Sequence, residues 1–442
     1  MGTQSPMETP IADFVRRYAE SGTARFHMPG HKGTSVLGCE AFDITEISGA
    51  GELYETDADS IIARSERNAA ALFGASRTCY VTEGSSQCIR AMVYLALTAR
   101  PNGVIVAGRN AHRALLYAAA LCDAQIAWLW PESRDSLCRC AVTPSALRRT
   151  LETLSAPPAA VWLTSPDYLG GRADIPALAE VCRAFGVPLF VDNAHGAYLR
   201  FLTPSQHPLD LGADMCCDSA HKTFPVLTGG AYLHIRRGGF FDAADPKTAL
   251  ALFGSTSPSW LTLVSLDLCN RYLSDDYASR LSGTVKRLET LREALRRNGW
   301  TAEDSDPLRL TLRGDAARMT ERLRGAGIEW EYADRDFLVL MATPENADAD
   351  FERVADALGL GSDVPPPVLP LAKAETVLSP REALFRPRER VNAEEAIGRI
   401  CAAPLVSCPP AIPVVVSGER VPPDALPLFR YYNIREVDVI RE

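Results

Sequence analysis

The strongest constraint on this chain is an alternation that runs from about residue 65 to 235, where short β-rich segments trade places with helix-like segments of ten or more residues. The pattern predicts strands at 78–82, 104–107, 125–130, 160–164, 188–192, 215–218 and 231–235, with helices at 86–98, 112–121, 144–154 and 175–185. Repeats of this kind imply an α/β fold with a mostly parallel sheet covered by helices on both faces. Ligands bind such sheets beyond the carboxyl ends of the strands, so a polar residue placed there is a candidate for chemistry.

Two strand ends carry such residues. Pro188-Leu189-Phe190-Val191 delivers Asp192, with Asn193-Ala194-His195-Gly196 behind it, and Met215 to Asp218 leads into Ser219-Ala220-His221-Lys222-Thr223. An amine and an acid at two strand ends suggest pyridoxal phosphate: Lys222 would form an imine with the aldehyde, and Asp192 would keep the pyridine nitrogen protonated. A carboxylate ending an apolar strand is costly unless paired, and that nitrogen would be the partner. The plainer readings are a lysine exposed on a turn and an aspartate capping the next helix. Upstream, Glu83-Gly84-Ser85-Ser86-Gln87 precedes a helical run. It offers a phosphate a glycine turn, two hydroxyls and a helix N-terminus, though an ordinary N-cap looks the same.

Charge and length narrow the partners. A net charge of −9 argues against nucleic acid or an anionic membrane, leaving a small molecule as the expected ligand. The longest apolar run, Ala91 to Ala99, is too short to cross a bilayer, and the N-terminus has no basic region followed by an apolar one. The twelve cysteines are scattered through apolar segments, and the pairs Cys138/Cys140 and Cys216/Cys217 lack zinc-ligand spacing. Free thiols in a reducing cytoplasm are expected. His27 and His31 stand four apart, but Pro29-Gly30 breaks a helix between them and no third ligand is in view. No metal is therefore expected there.

At 442 residues the chain should divide into two or three domains, preceded here by an arm. The expected divisions are an N-terminal arm at 1–55, a pyridoxal-phosphate-binding large domain at 56–272, a small α/β domain at 273–362 and a C-terminal domain at 363–442. An amphipathic stretch from Asp275 to Asn298 would make a connector helix of roughly 35 Å. Pro365-Pro366-Pro367 and Pro370 mark a linker at 363–372, and Pro409-Pro410, Pro413, Val414-Val415-Val416 and Ser417-Gly418 suggest a small strand-and-turn unit.

Four blocks in order, Phe26-His27-Met28-Pro29-Gly30-His31-Lys32-Gly33, Asp43-Ile44-Thr45-Glu46, Asp192 to Ala197 and Ser219 to Thr223, resemble the Orn/Lys/Arg decarboxylase family of fold-type-I pyridoxal-phosphate enzymes. Ser379-Pro380-Arg381-Glu382-Ala383, Ala396 to Ile400 and Pro409-Pro410 to Gly418-Glu419 are similar to that family's last domain. The resemblance implies a fold-type-I transferase-like large domain with smaller α/β C-terminal domains. It also implies α-decarboxylation of lysine, ornithine or arginine to the amine and carbon dioxide. With the first block starting near residue 27, the short form without an N-terminal receiver-like domain is expected.

The resemblance also implies roles. Ser85, Ser86, Gln87, Ser219 and His221 would meet the cofactor phosphate or hold the lysine. His112 would stack on the ring, capping a helix being its alternative, and Ala194 would pack on the opposite face. The Thr164 to Tyr168 block, at another strand end, would contact the cofactor hydroxyl or shape the pocket. Thr256, within Ser255-Thr256-Ser257-Pro258, would reach the neighbouring subunit's phosphate, which makes a homodimer or higher homo-oligomer with shared active sites the expected assembly. His31, Lys32 and Glu46 become candidates for meeting substrate, with Asp43, Glu52 and Glu55 as further acids for a cationic tail. Lys222 and His221 are the candidate proton donors. Glu83 and Gln87 depart from the family's phosphate-loop pattern, and Asn193 and Tyr198 replace its usual Glu and His. The competing functions are a fold-type-I aminotransferase or lyase on another amino acid, and a silent relative that binds or regulates.

Overall fold

The computed structural model describes residues 6–55, 57–131, 135–304, 306–361, 368–370, 372–403, 405–408 and 412–441. Seven strands form one sheet: β1 (Arg77–Val81), β2 (Val104–Gly108), β3 (Gln125–Leu129), β4 (Ala160–Thr164), β5 (Leu189–Asp192), β6 (Met215–Asp218) and β7 (Ala231–Ile235). Their order is β1-β7-β6-β5-β4-β2-β3. Pairs β2/β3, β2/β4 and β5/β6 are parallel, whereas β7 runs antiparallel to both β1 and β6. All residues of β5, β6 and β7 are buried. That is the signature of strands covered on both faces, and it explains why they read as continuous apolar runs.

Two compact units emerge from the chain's contacts, Met1–Thr98 with Pro188–Ala278 and Ala99–Val187 with Ser279–Glu442. The first unit holds β1, β5, β6 and β7 with helices α1 (Pro10–Glu20), α2 (Ile61–Phe73) and most of α3 (Ser85–Ala99). Helix α2 starts where the Ser60 side chain accepts the Ala63 N–H and stops at Gly74, whose φ of +66° suits glycine. It lies on the sheet through Ser65, whose hydroxyl meets Tyr80 Oη at 2.8 Å, and through Glu66, which accepts the Tyr80 N–H at 2.9 Å. Helix Trp260–Ser274 joins this layer, Asp267 accepting the Ala12 N–H at 2.9 Å.

The second unit holds β2, β3 and β4 with α4 (Arg113–Cys122), α5 (Pro144–Thr153) and α6 (Ile175–Ala184), capped by His112, Thr143 and Asp174. It continues through helix Tyr277–Arg297 into a four-stranded antiparallel sheet built around Leu310, Leu312, Leu338 and Leu340. A last cluster follows, in which Val414, Val421, Phe429 and Val439 are buried. Within it Arg388–Asn392 pairs antiparallel with Glu436–Ile440, and Leu405–Cys408 with Ile412–Val416. The sequence reading missed α1 and α2, which precede the alternation, and it ran the helix at Tyr277 together with its approach. The triple-proline part of the expected linker, and Pro409-Pro410, lie outside the described residues.

Candidate active site

Strand β6 ends at Asp218, and the chain turns at once into the short helix α8 (Ala220–Thr223). That turn lifts Lys222, half-buried, to a point where its Nζ lies 2.8 Å from His195 Nε2. His195 sits three residues past Asp192 on the tight turn after β5 and is itself buried. The sequence reading quoted His195 within its block but gave it no role. Its one signal was a place in the turn that follows the strand-end acid.

Asp192 is 3% exposed. Its Oδ1 accepts the Ala194 N–H at 3.2 Å and faces Cys217 Sγ at 3.8 Å. Burial pushes its carboxyl above the usual range, and the charge of Lys222 pulls the other way. Such a carboxyl gains most from a cationic partner that stays out of water. Ala194 is buried directly beyond it.

The donors for an anion gather in the same unit. Gly84 takes a φ of +75° ahead of α3, and a side chain built there would meet no atom within 4 Å, so the backbone stands beside open space. Ser219 donates to Ser85 Oγ at 2.8 Å, which leaves the Ser85 hydroxyl proton to point elsewhere. Ser86 follows in the first turn. A glycine turn, paired hydroxyls and the start of a fifteen-residue helix suit a phosphate. His221 donates from Nδ1 to the Gly230 carbonyl at 3.0 Å, and burial lowers its pKa, which favours the neutral imidazole with Nε2 as acceptor.

Other residues singled out in the sequence stand differently. Gln87 is fully buried, and its Nε2 donates to Leu250 O at 2.9 Å and to Tyr54 Oη, so its amide protons are spent on packing rather than offered to a phosphate. Thr256 is exposed, and its segment is tied down where Glu83 Oε1 accepts the Ser255 N–H. His112, in the second unit, caps α4 by accepting the Ala114 N–H at 3.2 Å. In the arm, His31 accepts the Gly33 N–H at 2.9 Å on Nδ1 and lies 3.3 Å from Asp43 Oδ2 through Nε2. Lys32 Nζ donates to the His27 carbonyl, and Glu46 accepts from Thr45 Oγ1 at 2.9 Å. His27 is engaged by Tyr18 Oη at 2.6 Å.

An amine, a buried acid and an anion cradle in one unit therefore fit the three functional parts of pyridoxal phosphate, namely aldehyde, ring nitrogen and phosphate. Two family models match the chain: "Orn/Lys/Arg decarboxylase, major domain" over residues 9–313 and "Orn/Lys/Arg decarboxylase, C-terminal domain" over 371–438. An uncharacterized protein of Bacillus subtilis, YaaO, is 27% identical over 94% of this chain and 92% of its own length. An arginine decarboxylase of the same organism is 26% identical over 94% and 92%. Among solved structures, a Francisella novicida lysine decarboxylase superposes with a TM-score of 0.83 at 16% identity, covering 98% of this chain and 81% of that one. The constitutive lysine decarboxylase of E. coli gives 0.77 at 17% identity, covering 98% and 82%. At those identities the structural likeness speaks for the fold, that of fold-type-I enzymes.

Proposed function

From the premise that the chain belongs to the Orn/Lys/Arg decarboxylase family, we propose that it removes the α-carboxylate of a basic amino acid as carbon dioxide and releases the amine. Pyridoxal phosphate is the cofactor of this reading, held by Lys222 at its aldehyde, Asp192 at its ring nitrogen and Ser85, Ser86 and Ser219 at its phosphate. When bound, it supplies the electron sink that receives the electrons left behind by departing carbon dioxide. The observation that carries the reading is the meeting of Lys222 with His195 at 2.8 Å in the unit that also buries Asp192.

The chain's own groups divide the remaining work. Asp192, shielded from water, keeps a proton on a partner nitrogen because separating that ion pair inside the protein is unfavourable. His195 orients the Lys222 amine and can take or return a proton at Nζ. Neutral His221 is the second base within α8. The acids and cations of the arm, Glu46, His31 and Lys32, are the proposed contacts for the substrate's charged ends. Exposed Phe26, Met28, Val36 and Leu37 on the same arm support its burial against a second copy, and with it a homodimer in which Thr256 reaches the partner's site.

Carbon dioxide and amine release from arginine, lysine and ornithine would be measured on protein purified with pyridoxal phosphate. Arginine comes first, since the B. subtilis relative is an arginine decarboxylase. Lys222→Ala should lose both turnover and the visible absorbance of the bound cofactor. Keto-acid production without carbon dioxide would refute decarboxylation, and an unchanged spectrum in Lys222→Ala would refute the choice of lysine.

A further inference from the structure

Behind the strand ends that carry Asp192 and Lys222 lies a second group of polar residues that the decarboxylase reading does not use. His207, Cys216, Asp218 and His234 are all fully buried. Cys216 and Asp218 stand two apart on β6 and so share one face of the strand. His207 precedes the turn α7 (Pro208–Leu211), which packs on β6. His207 Nε2 is 3.0 Å from Asp218 Oδ2 and 4.0 Å from Cys216 Sγ. The donor atoms of these three residues all lie within 4.8 Å of one another.

We infer that His207, Cys216 and Asp218 form a structural zinc site in the core of the first unit. Ligand atoms around a tetrahedral zinc at about 2.0–2.3 Å stand about 3.3–3.7 Å apart, and the two separations found here bracket that spacing. A nitrogen, sulfur and oxygen set is one that a borderline-soft divalent ion accepts. His234 Nε2 lies 3.3 Å from the same Asp218 oxygen without meeting hydrogen-bond geometry, a buried ring nitrogen aimed at the cluster for a fourth position.

Three further observations point the same way. The outer contacts that ligands need are in place: Asn193 Nδ2 donates to Asp218 Oδ1 at 2.7 Å, and Thr78 Oγ1 meets His234 Nδ1 at 2.8 Å. Phe73 stacks over His234 with ring centroids 4.4 Å apart and meets His207 at 5.5 Å, while Tyr232 meets His234 at 5.4 Å, so the walls are aromatic. Charge is the third. Among the described residues no lysine or arginine pairs with Asp218, whose ion-pair partners are His207 at 3.0 Å and His234 at 3.3 Å, and these balance its charge only when protonated. One divalent ion with a carboxylate, a thiolate and neutral imidazoles is neutral, and an uncompensated charge at this depth is expensive. Such an ion would pin α7 to β6 at Asp218, the residue just before Ser219 begins the turn to Lys222.

Because the site is closed to solvent, the protein should be tested both as purified and after refolding in zinc, with metal counted per chain after dialysis against a chelator. One zinc per chain is expected for the wild type and for Cys182→Ser, a buried cysteine elsewhere, and none for Cys216→Ser or His207→Gln. Cobalt-loaded wild type gives a reading that does not depend on any variant folding, since a thiolate-to-cobalt charge-transfer band should appear. Refolded wild type with native circular dichroism, no retained zinc and no such band in cobalt would overturn the site.

Discussion

Removing either half of the Arg109–Glu419 pair should destabilise the second unit by about 3–5 kcal/mol, the range found when one partner of a buried ion pair is lost. The side chains are 6% and 1% exposed, and two parallel bonds of 2.8 Å join NH1 to Oε1 and NH2 to Oε2. Neither charge has a ready substitute. Arg109 NH2 also reaches the Val414 carbonyl at 3.1 Å, and Glu419 Oε2 also accepts the Val416 N–H at 2.9 Å. Glu419→Ala therefore strands a guanidinium and an amide together, placing it at the upper end of the range. Glu419→Gln keeps the shape and one acceptor and should fall nearer the lower end. Arg109→Met with Glu419→Leu removes both charges and should recover most of the loss, leaving about 1–2 kcal/mol, so the double-mutant cycle should give a coupling energy of at least about 4 kcal/mol. Urea unfolding followed by tryptophan fluorescence reads this locally, because the Arg109 guanidinium lies 4.8 Å from the Trp128 ring and 4.6 Å from that of Trp130. Single variants within about 1 kcal/mol of wild type, or a double variant as weak as the sum of its parts, would refute the reasoning.

Three other outcomes are expected. His195→Ala should still bind pyridoxal phosphate while turnover falls about 10²-fold and the pH–rate profile shifts, since the lysine loses its proton partner; an unmoved profile would reduce His195 to a packing role. Burial pushes the Asp167 carboxyl up to about 6, so the stability it contributes is full below its ordinary range and is lost as pH rises through about 6. Asp167→Asn cannot ionise, and its stability relative to wild type should grow by on the order of 1–3 kcal/mol between about pH 4 and 7 in paired chemical-denaturation curves; a pH-independent difference would speak against the shift. Ser379 accepts the Glu382 N–H while Glu382 reaches back to the Ser379 N–H, and Ser379→Ala should lower stability by about 1 kcal/mol, an effect that a neutral thermal-melt comparison would exclude.

The sheet was legible because its inner strands are buried throughout and announce themselves as short apolar runs between helix-like segments. Lys222 and Asp192 were legible because strand ends can be located from those runs. His195 was not, since nothing in a sequence says how far a turn folds back toward the next strand's end. The cluster around Asp218 was hidden for a related reason. Cys216/Cys217 was weighed as an adjacent pair, whereas on a strand the relevant neighbour of Cys216 is Asp218, and the histidines come from a separate turn and from β7. Helix-period and motif-spacing rules do not see ligands that a sheet brings together.

The departures from the family pattern become coherent once their neighbours are known. A glutamate at 193 would set a second carboxylate beside the buried Asp218, whereas the asparagine present donates to it at 2.7 Å, so the residue at 193 matches the acid on the neighbouring strand. Glu83 turns away to accept the Ser255 N–H, and Gln87 turns inward to Leu250. Both side chains thus brace the 250–258 segment, and the proposed phosphate cradle draws on Gly84, Ser85, Ser86 and Ser219 instead. Altered residues in a loop with altered supports can therefore keep the same backbone donors, and the proposed role of Lys222 makes no use of the side chains at positions 83, 87 and 193.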